Sequence, residues 1–221
     1  MSTKIVRKPR LSPASAGILM TSEEFDALMP EAVRDHNRYE LIKGVLVVTP
    51  PPGNAELDPN QELGYLLLNY QRQHPRGSIV DLTLNEQTLP VAQNRRRCDR
   101  AIWTGLGRSP DPDTDVPTVV IEFVSRSRRD QRRDYEAKLK EYLSIGVAEY
   151  WVFDRFKRTM TVFRDHAGAT VERVVSETES YETELLPGFI LPLSQLLGRS
   201  DVWRKPRRPN PRRKPPAGGG A

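Results

Sequence analysis

The run VVIEFV at 119–124 constrains this chain more than any other stretch. Val119, Val120, Ile121, Phe123 and Val124 are strand formers, and their lack of apolar–polar alternation suits a strand buried on both faces. The segment that follows, RRDQRRDYEAKLKEYLSIG, reads as a helix with Tyr135, Leu139, Tyr142 and Leu143 on one face, ended by Gly146. AEYWVFD at 148–154 then returns as a strand. Strand, helix and strand around a central sheet imply a mixed α/β domain with helices packed on the sheet. Glu122 sits inside the first strand, where an ionised carboxylate needs a cation, a hydrogen-bond network or a raised pKa.

The other elements fit one domain. Thr21 or Ser22 can cap a short helix that runs towards Met29, with Glu23 and Glu24 in its first turn. YELIKGVLVVTP at 39–50 reads as a hairpin about Lys43-Gly44, and PPPGNAELDPN as a loop. Leu63, Leu66, Leu67 and Tyr70 recur at helical spacing between Gln61 and about Gln73. Strands are expected near 78–84, 86–91 and 97–103, with AQNRR as a polar turn between the last two, and again at TMTVFR and VERVVS. A flexible basic leader is expected over 1–16, the folded domain over 17–198 and a disordered Pro/Arg/Gly tail over 199–221.

Charge is unevenly spread. Residues 199–221 hold eight Lys and Arg against one Asp, so the other 198 residues carry −2 of the chain's net +5. The tail therefore reads either as an arm for nucleic acid or as a solubilising extension, with equal weight. No apolar run approaches the roughly 20 residues of a membrane span, and the basic start has no signal-peptide core after it, so a cytoplasmic protein is expected. Cys98 is the sole cysteine, which excludes an internal disulfide, and His36, His74 and His166 lack zinc-site spacing.

Carboxylates carry the candidate chemistry. Glu40 in YELI, Asp99 in RRRCDRAIW and Glu122 all interrupt strand-like surroundings, Asp99 sharing a face with Ala101 and Trp103, and Glu122 with Val120 and Val124. Two acids on adjacent strands repel unless a cation lies between them, and Mg²⁺ needs only one or two carboxylates. Asp134 and Lys138 lie four apart on the following helix, where the lysine can reach the strand ends. Arg95, Arg96, Arg97, Arg126, Arg128, Arg129, Arg132 and Arg133 bracket the acids in sequence and can fork onto phosphates. Asp111, Asp113, Asp115 and Glu122 match a calcium-loop spacing, but Val116 stands where that loop needs Gly, so DPDTD reads as a solvated acidic loop. Tyr39, Tyr150 and Trp151 are read as core.

The order YELIKGVLVV, proline-rich loop, helix, strand acid, IEFVS, Asp134-x-x-x-Lys138, GVAEYWVFD and TMTVFR resembles the Uma-type putative restriction endonuclease family over roughly residues 20–195. That family belongs to the PD-(D/E)XK nuclease superfamily. The resemblance implies a restriction-endonuclease-like central mixed β-sheet flanked by helices, with Mg²⁺ or Mn²⁺ serving phosphodiester hydrolysis. It casts Asp99 and Glu122 as the metal-holding strand acids, Glu40 as an additional acid, and Lys138 as the replacement for the strand lysine, whose usual position is Val124. Cys98 stands where relatives have proline, and the proline-rich loop lacks the histidine many carry.

The function expected is a divalent-metal-dependent DNA endonuclease, with a homodimer expected by analogy. An alternative is a nuclease-fold protein that binds nucleic acid without cleaving it. A third reading, a carboxylate-pair glycosidase, is disfavoured by the arginines and the few aromatics.

Overall fold

The computed structural model describes residues 11–32, 36–125 and 133–203. A six-stranded sheet, ordered β10-β9-β8-β7-β6-β3, forms the centre, and a four-stranded antiparallel sheet, β2-β1-β5-β4, adjoins it. The main sheet comprises β3 (Val80–Asn85), β6 (Arg100–Thr104), β7 (Val119–Phe123), β8 (Glu149–Asp154), β9 (Thr159–His166) and β10 (Ala169–Ser176). The smaller one holds β1 (Arg38–Ile42), β2 (Val45–Thr49), β4 (Thr88–Val91) and β5 (Asn94–Arg97). A short pair, β11 (Ser180–Tyr181) and β12 (Leu191–Pro192), completes the β structure.

The expectation from VVIEFV holds: all five residues of β7 are buried, and β7 pairs parallel with β8 and antiparallel with β6. The pleat divides its side chains. Val119, Ile121 and Phe123 join a core with Leu63, Leu67, Trp151 and Leu196, under α2 (Asn54–Gln73) and α4 (Leu193–Asp201). Val120 and Val124 join Trp103, Tyr142, Tyr150 and Phe163 on the opposite face, under α3 (Lys138–Ser144). A parallel pair needs a crossover, and α3 supplies it. Phe25 on α1 (Ser22–Ala32) packs with Tyr39, Leu41 and Leu46 on the smaller sheet.

Local signals read from the residues are present. Thr21 caps α1, its Oγ1 accepting from Glu24 N at 3.2 Å while Glu24 Oε2 accepts from Thr21 N at 2.8 Å. The β1–β2 hairpin turns at Lys43 and Gly44, both at positive φ, 52° and 76°. Gly146 ends the crossover helix region at φ 95°.

Several boundaries differ from the sequence reading. The expected loop PPPGNAELDPN is helical from Asn54, with Pro59 inside α2. Proline removes the N–H that would bond the carbonyl four residues back, that of Ala55, and Ser200 Oγ donates to that oxygen at 2.8 Å instead. The expected turn AQNRR shrinks to Ala92-Gln93, and Asn94–Arg97 form β5, because Arg95 and Arg96 pair in register with Pro90 and Leu89. Order reaches further at both ends than 17–198. Leu11 is buried and Gly17 N bonds Leu46 O at 2.8 Å, while α4 runs to Asp201 and both Arg199 and Trp203 bind Asp58. The segment before α3, Arg133–Ala137, is a π-helical turn.

Candidate active site

The strand expected over 97–103 is broken at Cys98-Asp99, and this break builds the site. β3–β4 and β5–β6 form one long bent hairpin whose first half crosses from the main sheet to the smaller one at Glu86-Gln87, and whose second half returns at Cys98-Asp99. The two crossings are stitched together, Glu86 N donating to Asp99 O and Cys98 N to Gln87 O, each at 2.9 Å. Glu86 takes φ 55° to make the bend. A non-glycine residue in that region costs of order 1–3 kcal/mol and persists only where its surroundings demand it.

Asp99 stands at the strand break, just before the Arg100↔Ile121 pair of β6 and β7, and its backbone N–H donates to Ile121 O at 3.1 Å. Its Oδ2 accepts the Phe123 N–H at 2.5 Å, so the side chain takes a ladder bond that a backbone carbonyl would otherwise receive. Glu122 projects to the α3 side, where its Oε1 accepts from Lys138 Nζ at 2.6 Å and from Tyr142 OH at 3.3 Å. Lys138, 1 % exposed, also donates to Arg97 O at 2.6 Å and lies 3.8 Å from Glu40 Oε1. Glu40 accepts from Arg97 N at 3.1 Å. Glu40, Glu122 and Lys138 therefore converge where the two sheets meet, and Asp99 joins them through the backbone at the end of β7, its side chain held by the Phe123 N–H and Arg38.

Burial sets the electrostatics. It pushes the Cys98 thiol and the Tyr142 phenol up, with the Glu122 charge adding to both. Neither group is a nucleophile near neutral pH, in keeping with Cys98 as a packing residue. Burial also raises Glu56, which caps α2 through Gly53 N at 2.8 Å and meets Arg155 Nη2 at 3.1 Å.

Three residues at the site, Arg38, Glu86 and Asn60, are not singled out by the sequence reading. Arg38 contacts both Glu86 and Asp99, and Glu86 also takes Arg97 Nε at 3.0 Å. Asn60 donates to Asp99 O at 2.8 Å and receives Arg100 Nε at 2.7 Å, tying α2 to the strand break. Arg100 is buried against these neutral partners and Thr83, and burial lowers its pKa to about 10. Arg38 stands two before Glu40, on the same face of β1, a spacing that alternation alone could have exposed. Glu86 and Asn60 could be placed only by the tertiary fold.

The arginine readings need correction. Arg96, 2 % exposed, turns inward to Glu141 and cannot grip a nucleic-acid backbone. Arg95 forks onto Asp26, and Arg97 pairs with Glu86. Alternation along β5 sends Arg96 to the opposite face from its two neighbours. Arg126, Arg128, Arg129 and Arg132 lie outside the described residues, as does the side chain of Asp134. The DPDTD loop is closed on itself, Asp115 accepting from Arg108 and from Asp111 N, while Glu122 is far from solvent.

Comparison with known proteins places this geometry. A crystal structure titled as a putative nuclease belonging to DUF820, from Anabaena variabilis, matches with a TM-score of 0.63 at 16 % identity, covering 82 % of this chain and 99 % of that one. At that identity the likeness speaks for the fold. A search of curated proteins finds no match. The family model Uma2, described as putative restriction endonuclease, matches residues 22–194, from the first helix to the start of the last. With most of the chain matched, and with its mixed sheet carrying acids at the strand break and on β7, the chain belongs to the Uma2 putative restriction endonuclease family.

Proposed function

We propose that the protein is a divalent-metal-dependent endonuclease that hydrolyses phosphodiester bonds in DNA. The observation that carries this reading is the buried Glu122, bonded to Lys138 at 2.6 Å, beside Asp99, whose Oδ2 accepts the N–H of the next residue, Phe123. Family membership supports it, and so does the likeness in fold to a solved protein titled a putative nuclease.

The donor set fits a hard cation. Every candidate ligand is a carboxylate oxygen, with no imidazole or reactive thiol among them. Among the described residues no group of three or more His, Cys, Asp and Glu side chains is gathered to hold an ion. Mg²⁺ and Mn²⁺ do not require one, since two carboxylates and several waters suffice for Mg²⁺. Asp99 and Glu122 would hold the ion, which when bound supplies Lewis-acid polarisation of the phosphoryl group and a more acidic water. Lys138 neutralises and orients Glu122 through a 2.6 Å contact. Its bonds to Glu122 and Arg97 O make it a positioning residue for that acid. Asn60 and the Phe123 N–H hold Asp99 from two sides.

The test is incubation of the purified chain with supercoiled plasmid, single-stranded DNA and RNA, in Mg²⁺, Mn²⁺ or EDTA, beside Asp99→Asn and Glu122→Gln. Cleavage of DNA that requires metal and both acids is the expected result. Metal-dependent cleavage that survives both substitutions would overturn the site. A second reading, a nuclease-fold protein that binds without cutting, draws on the engagement of both acids by protein cations. Salt-sensitive binding without cleavage in any metal would favour it.

A further inference from the structure

Arg38 carries an unusual set of contacts for the first residue of an edge hairpin. Its Nε donates to Glu86 Oε2 at 2.8 Å, and its Nη2 contacts both Glu86 Oε1 and Asp99 Oδ1. Since Asp99 Oδ2 is taken by the Phe123 N–H, both oxygens of this carboxylate, 4 % exposed, are engaged by the protein. Burial works against the guanidinium charge, but the adjoining Asp99 and Glu86 carboxylates outweigh it and keep Arg38 protonated.

Two features separate this arrangement from an ordinary buried ion pair. First, the guanidinium has a second carboxylate. Arg38 forks onto Glu86 independently of Asp99, so it can leave Asp99 without becoming an unpaired buried charge. Glu86 is held in turn by Arg97, which keeps it in place. Second, the charge balance is close. Among the described residues Glu40, Glu86, Asp99, Glu122 and Glu141 face Arg38, Arg96, Arg97 and Lys138, leaving one negative charge in surplus. Removing the Arg38 charge doubles that surplus, and cation affinity follows the field of the carboxylates.

We propose that Arg38 is the resting counter-ion of Asp99 and competes with the divalent cation for that carboxylate, so that occupancy by the ion moves Arg38 onto Glu86 alone. The inference rests on the metal-dependent reading above. It makes Arg38 the residue that sets the metal concentration at which the site fills.

The experiment measures Mn²⁺ affinity, by the free-ion spectroscopic signal, in the full chain, Arg38→Ala, Arg38→Lys and Asp99→Asn, without substrate. Arg38→Ala is expected to bind Mn²⁺ at least tenfold more tightly than the unaltered chain. Millimolar guanidinium should weaken binding by Arg38→Ala and leave the unaltered chain unchanged, since the added cation can refill only a vacated position. Where circular dichroism shows Arg38→Ala unfolded, Arg38→Lys carries the test. A single ammonium cannot fork onto Glu86 while holding Asp99, so its affinity should rise several-fold. Equal or weaker binding by the folded Arg38 variants, with binding lost in Asp99→Asn, overturns the competition and leaves the metal site standing. Tightening that guanidinium does not reverse also overturns it. Absence of Mn²⁺ binding in every protein overturns the metal reading itself.

Discussion

Replacing Lys138 by methionine removes the cation but keeps most of the side chain's volume, which isolates the electrostatic role. In the native structure Nζ lies 2.6 Å from Glu122 Oε1 and 3.8 Å from Glu40 Oε1, all three groups being buried. At an effective dielectric constant of about 20 these separations correspond to about 6 and about 4 kcal/mol of attraction, offset by the desolvation of three charges. Removing one partner of a buried pair exposes that desolvation cost, about 3–5 kcal/mol. That is a large part of the roughly 5–15 kcal/mol that holds an ordinary domain folded. Urea unfolding followed by tryptophan fluorescence reads the change, because Trp103 and Trp151 are fully buried. Adding Glu122→Gln to Lys138→Met should recover part of the loss, since the stranded charge is then gone. A loss below about 1 kcal/mol, or a double variant as unstable as the sum of the singles, would refute the reasoning.

Three further outcomes follow from other parts of the fold. Glu149 is buried and accepts from Trp151 Nε1 at 2.7 Å, Thr183 Oγ1 at 2.6 Å, Tyr181 OH at 2.9 Å and Arg164 Nε at 2.8 Å, so Glu149→Gln should cost about 3 kcal/mol in urea unfolding; a change under about 1 kcal/mol would show the network to be dispensable. At Gly64 a Cβ would lie 2.6 Å from Arg100 Nη2, so Gly64→Ala should destabilise by about 1–2 kcal/mol, the lost charged hydrogen bond to Asn60 O outweighing the helix-propensity gain of about 1 kcal/mol. A stabilised variant would show that Arg100 has room to move. The buried Cys98 thiol, its pKa raised by burial, should resist a thiol reagent at pH 8 in the folded protein and react at once in denaturant, whereas rapid reaction without denaturant would show the strand break to be open.

The sequence by itself determined the central elements, because their signals are local. An apolar run without alternation marked β7, the spacing of Leu63, Leu67 and Tyr70 marked α2, and Lys43-Gly44 marked the hairpin. The acids Glu40, Asp99 and Glu122 were legible for the same reason, as charges out of place in strand-like surroundings. GVAEYW was legible as a family motif, yet the reason for its glutamate was not: Glu149 meets donors from β9, β11 and the residue at 183, which only folding brings together.

Tertiary structure added Arg38 and Glu86 to the charges already legible in the residues. Arg38 meets Glu86 across 48 residues and Asp99 across 61, through a bend that crosses two sheets. No period of 2 or 3.6 residues encodes such a distance. Strand β5 turned three consecutive arginines to three fates, Arg95 to Asp26, Arg96 into the interior and Arg97 to Glu86, so that a basic run in sequence became intramolecular ion pairs. Side-chain chemistry is written residue by residue, but the field at a carboxylate depends on which cations the sheet register delivers to it.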